Sequence, residues 1–223
     1  MPLVAGPERL VNTVTAGVQR PGDIAVGSSV ATVWIDESGV DDVAKLRLFD
    51  RGGAPTTAEI TVGAAVEVVV APTGDGFVVV RLVQSGALKV DIIAQAYSAS
   101  GQPVGAAVTL ETHDTSGDLV PFISARGLDV TALSDGGYAV GWTESTAGLG
   151  GATVVSGRYL VASAQGVVEG RGGLSGASGR AVLSNDADIS FTELPDGQVL
   201  AVFRSIPVSL QGPPFYGHHV QLM

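Results

Sequence analysis

Apolar and β-branched residues gather along this chain in four short runs: Val30-Ala31-Thr32-Val33-Trp34, Phe77-Val78-Val79-Val80-Arg81, Tyr138-Ala139-Val140-Gly141-Trp142 and Val199-Leu200-Ala201-Val202-Phe203. Alternating or continuous runs of this kind, bounded by Gly, Ser and Asp and poor in helix caps, predict strands. Aligned on their last residues, the runs recur 47, 61 and 61 residues apart. That period is close to the roughly 40–50 residues of a propeller blade plus its loops.

A tight turn precedes each run: Gly27-Ser28, Gly74-Asp75-Gly76, Asp135-Gly136-Gly137 and Asp196-Gly197. Asp-Gly and Gly-Gly supply the positive φ of short hairpins, so antiparallel strands are predicted just upstream, at about 22–26, 64–71, 128–133 and 188–194. A third strand and a second turn follow, clearest at 90–97 with the turn 98–105, and again at 46–55 and 158–166. The fourth unit ends with its third strand at 216–223, and residues 2–13 carry the turn and apolar alternation of the strand it lacks. A strand borrowed from the opposite terminus would pair the last open edge. The expectation is therefore an all-β fold, a small β-propeller of about four four-stranded blades with the N-terminal strand completing the last. It forms one domain over 1–223, with 1–13 as closing strand and blades near 20–63, 64–112, 122–184 and 185–223.

Composition narrows the partners. The formal charge is −10, from 22 acidic against 12 basic residues, of which only Lys45 and Lys89 are lysines. Such a surface repels phosphate backbones, so no nucleic-acid partner is expected. Charged residues make up 15%, against about a quarter in ordinary domains, which points to a protein partner or a homo-oligomer in a larger assembly. Cysteine is absent, which removes disulfides and thiolate metal sites. The uncharged stretch 92–110 is broken by Ser98, Ser100, Gly101 and Pro103, so it reads as strand, turn, strand rather than a membrane span. The N-terminus, MPLVAGPERL, shows no cleavable secretory signal.

Three stretches carry a further resemblance: Val11-Asn12-Thr13-Val14-Thr15-Ala16-Gly17-Val18-Gln19, Leu133-Ser134-Asp135-Gly136-Gly137-Tyr138-Ala139-Val140-Gly141-Trp142, and Ala96-Tyr97-Ser98-Ala99-Ser100-Gly101-Gln102-Pro103-Val104-Gly105. They resemble the degenerate repeats of the form VNTxTxGxQ, LxDGGxxVxW and RxxxxxGxPVG in large secreted bacterial adhesin-like surface proteins. The resemblance implies a propeller-like surface module and brings no catalytic residues. Arg81 and Phe203 stand where the pattern has tryptophan, so their blades should pack differently.

Candidate chemistry falls on one face of the ring, where the loops 36–42, 84–89, 144–151 and 205–214 and the link 112–124 are long and dissimilar. Asp36, Glu37, Asp41 and Asp42 form an acidic loop whose carboxylates suit a hard cation, although the spacing is not that of a calcium loop. Ca²⁺ is the one cofactor left open. His113 and Asp114, with Asp118, pair an imidazole with carboxylates. Glu144 opens a loop two residues after Trp142, as a glycosidase carboxylate would, but no partner at a set separation is evident. His218 and His219 project to opposite faces of a strand and so cannot share one ion. Trp34 and Trp142 read as blade packing, and the Gly-rich 148–151 and 170–176 as connections without a P-loop lysine. The function expected from these features is a non-catalytic binding or assembly module, not an enzyme, displayed on an extracellular or virion surface and acting in structure or adhesion. The alternative is a carbohydrate-active enzyme or lectin using carboxylates and aromatics on the variable-loop face, with a surface glycan as partner.

Overall fold

Four antiparallel sheets, each of four strands, follow one another along the chain. In the computed structural model the described residues are 8–87, 89–114, 122–147, 153–174, 182–183, 189–206 and 217–222. The first sheet holds β1 (Gln19–Val26), β2 (Val30–Asp36), β3 (Val43–Phe49) and β4 (Ile60–Ala64), and the second β5 (Glu67–Thr73), β6 (Gly76–Gly86), β7 (Lys89–Tyr97) and β8 (Pro103–Asp114). The third holds β9 (Phe122–Ala132), β10 (Tyr138–Ala147), β11 (Thr153–Ala162) and β12 (Val168–Leu174). In the fourth, β15 (Val199–Ile206) pairs with β13 (Val182–Leu183) and β14 (Ile189–Glu193) along one edge and with β16 (Gly217–Leu222) along the other.

The turns use one geometry repeatedly. Leu133 N donates to Gly137 O and Gly136 N to Leu133 O, a pattern that recurs at Asp50/Ala54, Ser98/Gln102, Ser163/Val167 and Leu194/Gln198. A type I turn closed by a residue at positive φ requires glycine, and Gly53, Gly101, Gly136, Gly166 and Gly197 supply it at φ between 79° and 90°.

The sheets pack face to face, as alternation along each strand dictates. Ala31, Val33 and Ile35 point to the second sheet and meet Val68, Val70, Phe77 and Val79. Val78, Val80 and Leu82 point the other way, onto Tyr138, Val140 and Trp142 of the third sheet. β6 is thus buried on both faces, which is why its sequence is a continuous apolar run rather than an alternating one. Ala139 faces Ile189, Phe191 and Phe203 of the fourth sheet. Phe203 fills its tryptophan position as a core residue, whereas Arg81 reaches back to donate from Nη1 to Ala64 O of the first sheet at 2.6 Å.

Among the described residues one face of the first sheet has no such neighbour. Val70, Val130 and Phe191 occupy matching positions on β5, β9 and β14 and are 3%, 8% and 7% exposed, while Ile24 on β1 is 60% exposed. The expected closing strand must also be corrected in its described part. Residues 8–18 form no strand, and 1–7 lie outside the described residues. The segment is held to the first sheet instead: Arg47 Nη1 donates to Val11 O at 2.7 Å, and Thr13 Oγ1 and N both donate to Glu59. Asn12 Nδ2 bonds Val14 O at 2.8 Å, a local hydrogen bond that competes with extended pairing.

Candidate functional site

The first long strands of consecutive sheets, β1, β5, β9 and β14, touch one another in turn and so line the axis about which the sheets are arranged. Each of the first three carries a carboxylate that reaches backbone amides of the next. Asp23 Oδ2 accepts from Val70 N at 3.2 Å, Glu67 from Gly127 N and Leu128 N at 3.2 and 2.9 Å, and Asp129 Oδ2 from Phe191 N at 2.8 Å. Asp23 Oδ1 also accepts from Ile24 N at 2.7 Å.

Asp23 and Asp129 both sit at bulges, where the β1–β2 register shifts between Pro21 and Ile24 and the β9–β10 register shifts between Gly141 and Thr143. Bulges re-aim side chains, and these turn two acids toward the axis. Glycine makes both possible: Gly127 has φ +65°, and a Cβ on Gly22 would lie 2.8 Å from Val33 O and 2.9 Å from Val68 Cγ1. Burial pushes the Asp129 carboxyl above the usual aspartate range; the charge of Asp23 adds to the rise, and the amides of Phe191 and Val130 oppose it.

A group with a raised carboxyl pKa keeps its proton longer in the folded state than in the unfolded one, so stability falls as pH rises through that window. Asp129→Asn retains an oxygen for Phe191 N and removes the titration. Urea unfolding between about pH 4 and pH 7 should show a declining contribution in the parent that is flat in the variant; equal slopes would exclude the assignment.

The sequence candidates part company. Glu144 lies inside β10, paired with Ser156 and Ala125, and His113 and Asp114 close β8 opposite Val90 and Lys89, so none of the three begins a loop or link. The structure brings His113 and Glu144 together across the seam between the second and third sheets. The Glu144 carboxylate is 4% exposed; its Oε1 accepts from Trp142 Nε1 at 3.0 Å and lies 3.4 Å from His113 Nδ1, and its Oε2 accepts from Arg158 Nε at 3.0 Å. A carboxylate so enclosed anchors strands and orients the imidazole; it is poorly placed to reach a substrate.

Asp36 organises its own loop. Its Oδ1 takes Gln19 Nε2 at 2.7 Å, Ser38 N at 3.0 Å and Ser38 Oγ at 2.6 Å, and the Ser38 hydrogen bonds hold its carboxyl below the usual range. Glu37 pairs with Arg20 at 2.8 Å, and Asp41 and Asp42 are exposed beyond them. Among the described residues no group of three or more His, Asp or Glu side chains could hold a metal ion, and no helix is long and apolar enough to cross a membrane. His218 and His219 lie in β16, with side chains outside the described residues.

Asp23 and Asp129 escaped the sequence reading because charge was sought in loops. The signal was a single acid inside an apolar strand preceded by glycine, in Gly22-Asp23-Ile24-Ala25-Val26 and Gly127-Leu128-Asp129-Val130.

No family model matches the chain, and no curated protein matches it. Among solved structures it is similar to an α-L-arabinanase of Penicillium chrysogenum complexed with arabinobiose, at 10% identity and a TM-score of 0.58 over 92% of this chain and 63% of that one. It is similar also to a thermostable family-43 glycoside hydrolase, at 11% identity and a TM-score of 0.50 over 94% of this chain and 71% of that one. The chain thus spans less than two thirds of the arabinanase. The likeness shows a propeller-like fold shared with carbohydrate-cleaving enzymes, and it corrects the expectation of a non-catalytic, adhesive or virion module that is not an enzyme.

Proposed function

We propose that this chain is a carbohydrate-active domain that hydrolyses glycosidic bonds with Asp129 and Asp23. The observation that carries the reading is a pair of half-buried acids on the inner strands, Asp129 on β9 bonded to Phe191 N of β14 and Asp23 on β1 bonded to Val70 N of β5. Burial holds the Asp129 carboxyl above the usual aspartate range, which suits the general acid of a glycoside cleavage. Asp129 gives its proton to the glycosidic oxygen as the bond to the anomeric carbon breaks. Asp23 takes a proton from the water whose oxygen joins that carbon, so one water is consumed and two hydroxyl-bearing products leave. Strand β5 lies between β1 and β9 and contacts both. The structural likeness to two glycoside hydrolases supports the same class.

The architecture proposed with it is a single ring of four blades over 1–223, in which the meeting of the first and fourth sheets forms the remaining seam. An extracellular setting suits a glycan substrate. The test is turnover of α- and β-linked pentose and hexose oligosaccharides, compared with Asp129→Asn and Asp23→Asn. Each substitution should lower turnover by about 10²-fold or more, with the fold intact by circular dichroism. Absence of turnover on every substrate, or unchanged turnover in both variants, would falsify the proposal.

A further inference from the structure

A cavity of about 350 Å³ opens in the seam between the second and third sheets, bounded by Ala94, Ala96 and Val104 on one side and by Tyr138 and Gln165 on the other. Its size is that of a small-ligand pocket. Neither Asp23 nor Asp129 is among the described residues that line it, so it lies outside the axial pair.

The neighbouring seam shows what made the space. Leu46 and Leu48 pair with Val33 and Ala31 on β2, and Ala94 and Ala96 hold the same places opposite Val80 and Val78 on β6. Between the first and second sheets both leucines are fully buried beside Phe77. One seam on, two alanines stand beside Tyr138, and the volume of the missing side chains is open. A bulge in β8 shapes the rim, and Gln95 Nε2 fixes it by donating to Ala96 O at 2.9 Å and to Val104 O and Gly105 O at 3.3 Å. Val104 is 57% exposed on that rim, and Ala164 and Gln165 are exposed across from it, so the walls are open to solvent.

Tyr138 supplies the polar atom. It occupies the place of Phe77 on the next sheet, so the ring serves packing and the hydroxyl is an addition. The residue is 2% exposed, yet its hydroxyl donates to no described group and is not sealed from solvent. Burial pushes the phenol up to about 12, so the hydroxyl keeps its proton and remains a donor. A donor without a partner on the floor of an apolar cavity calls for an acceptor. No charged side chain is among the described residues of the lining, so an ion of either sign would lose water there without a counter-charge.

We infer that this cavity binds a small neutral molecule with an apolar ring body and one carbonyl oxygen, which accepts from the Tyr138 hydroxyl while Ala96, Val104 and Val108 cover the body. A sugar does not fit the same walls, because most of its hydroxyls would be left unpaired against them. The site stands or falls without the glycosidase reading.

The experiment titrates the full chain with α-tetralone, a neutral bicyclic ketone, beside tetralin, which lacks the oxygen, and naphthoate, which carries a charge. The ketone should bind saturably and about 5-fold or more tighter than either. Tyr138→Phe, which reproduces Phe77, should bring the ketone down to the affinity of tetralin. Ala96→Leu, which reproduces Leu48, should abolish binding of both and leave the melting temperature level or raise it. No saturable binding of the ketone, equal affinity for ketone and tetralin, or undiminished ketone binding in either variant would each overturn the inference. Should Tyr138→Phe not fold, the comparison of ketone with tetralin in the parent decides the role of the hydroxyl. Should Ala96→Leu not fold, Ala164→Trp, at an exposed position on the rim, blocks the mouth and decides in its place.

Discussion

Replacing Glu144 by alanine should destabilise the protein by about 2–4 kcal/mol, because it strips three donors of one buried acceptor. The carboxylate joins Trp142 and Arg158 of the third sheet to His113 of the second. Breaking a fully buried pair costs about 3–5 kcal/mol, but the Arg158 side chain is 47% exposed and recovers part of its solvation in water. Trp142 Nε1 has no such recourse, since the residue is 5% exposed. The midpoint of thermal unfolding should fall by roughly 10 °C on the scaling for a chain of this size. Glu144→Gln keeps an oxygen for Trp142 but turns an amide N–H₂ against Arg158 Nε, so its loss should be intermediate. A fall of less than about 0.5 kcal/mol for alanine, within the range of ordinary surface substitutions, would show that the seam does not depend on this carboxylate. Turnover per folded molecule should change little, which separates this anchor from Asp23 and Asp129.

Much of the fold was legible in the chain. Phe77, Val78, Val79 and Val80 read as a strand, and the glycines of the turns read as hairpin closures. Strand ends were less legible, because Ser145 and Thr146 carry no hydropathy signal and yet pair in register with Val155 and Val154. In the described part of the N-terminal segment, residues 8–13, the apolar alternation fits a strand, but Arg47 and Glu59 bind the backbone where it crosses the first sheet. The site was harder still. His113 and Glu144 could be singled out one by one, but only the meeting of the second and third sheets makes them neighbours. Asp23 and Asp129 needed the register of the sheets, which puts both beside bulges on axial strands. The absence of known catalytic motifs favoured a non-catalytic reading, since motifs record local spacing and not the arrangement of sheets.

That arrangement depends at one point on a missing side chain. Val33, Val80 and Val202 stand where the third sheet has Gly141, and a Cβ at Gly141 would run into the ring of Phe191 and lie 3.2 Å from Ile189 Cγ2. Gly141→Ala should therefore cost about 3 kcal/mol, at the upper end of ordinary overpacking, since both obstacles are core atoms of the fourth sheet. The midpoint should drop by roughly 6–12 °C, and Gly141→Val should do more. Phe191→Leu placed in the Gly141→Ala background should recover part of the loss, and a double-mutant cycle measures the coupling. Simple additivity would show that the ring of Phe191 is not the obstacle. The substitution should also reach the axial pair, because Phe191 N is the donor to Asp129 Oδ2. If the fourth sheet moves away, Asp129 loses an amide that favours its ionised form, and its neighbourhood becomes more open to water at the same time. The amide loss raises the carboxyl pKa and the hydration lowers it. Burial is the larger influence on Asp129, so the net shift should be downward, and the pH dependence of stability assigned to Asp129 should weaken in Gly141→Ala. An undiminished slope in a destabilised variant would place the repacking away from the axis.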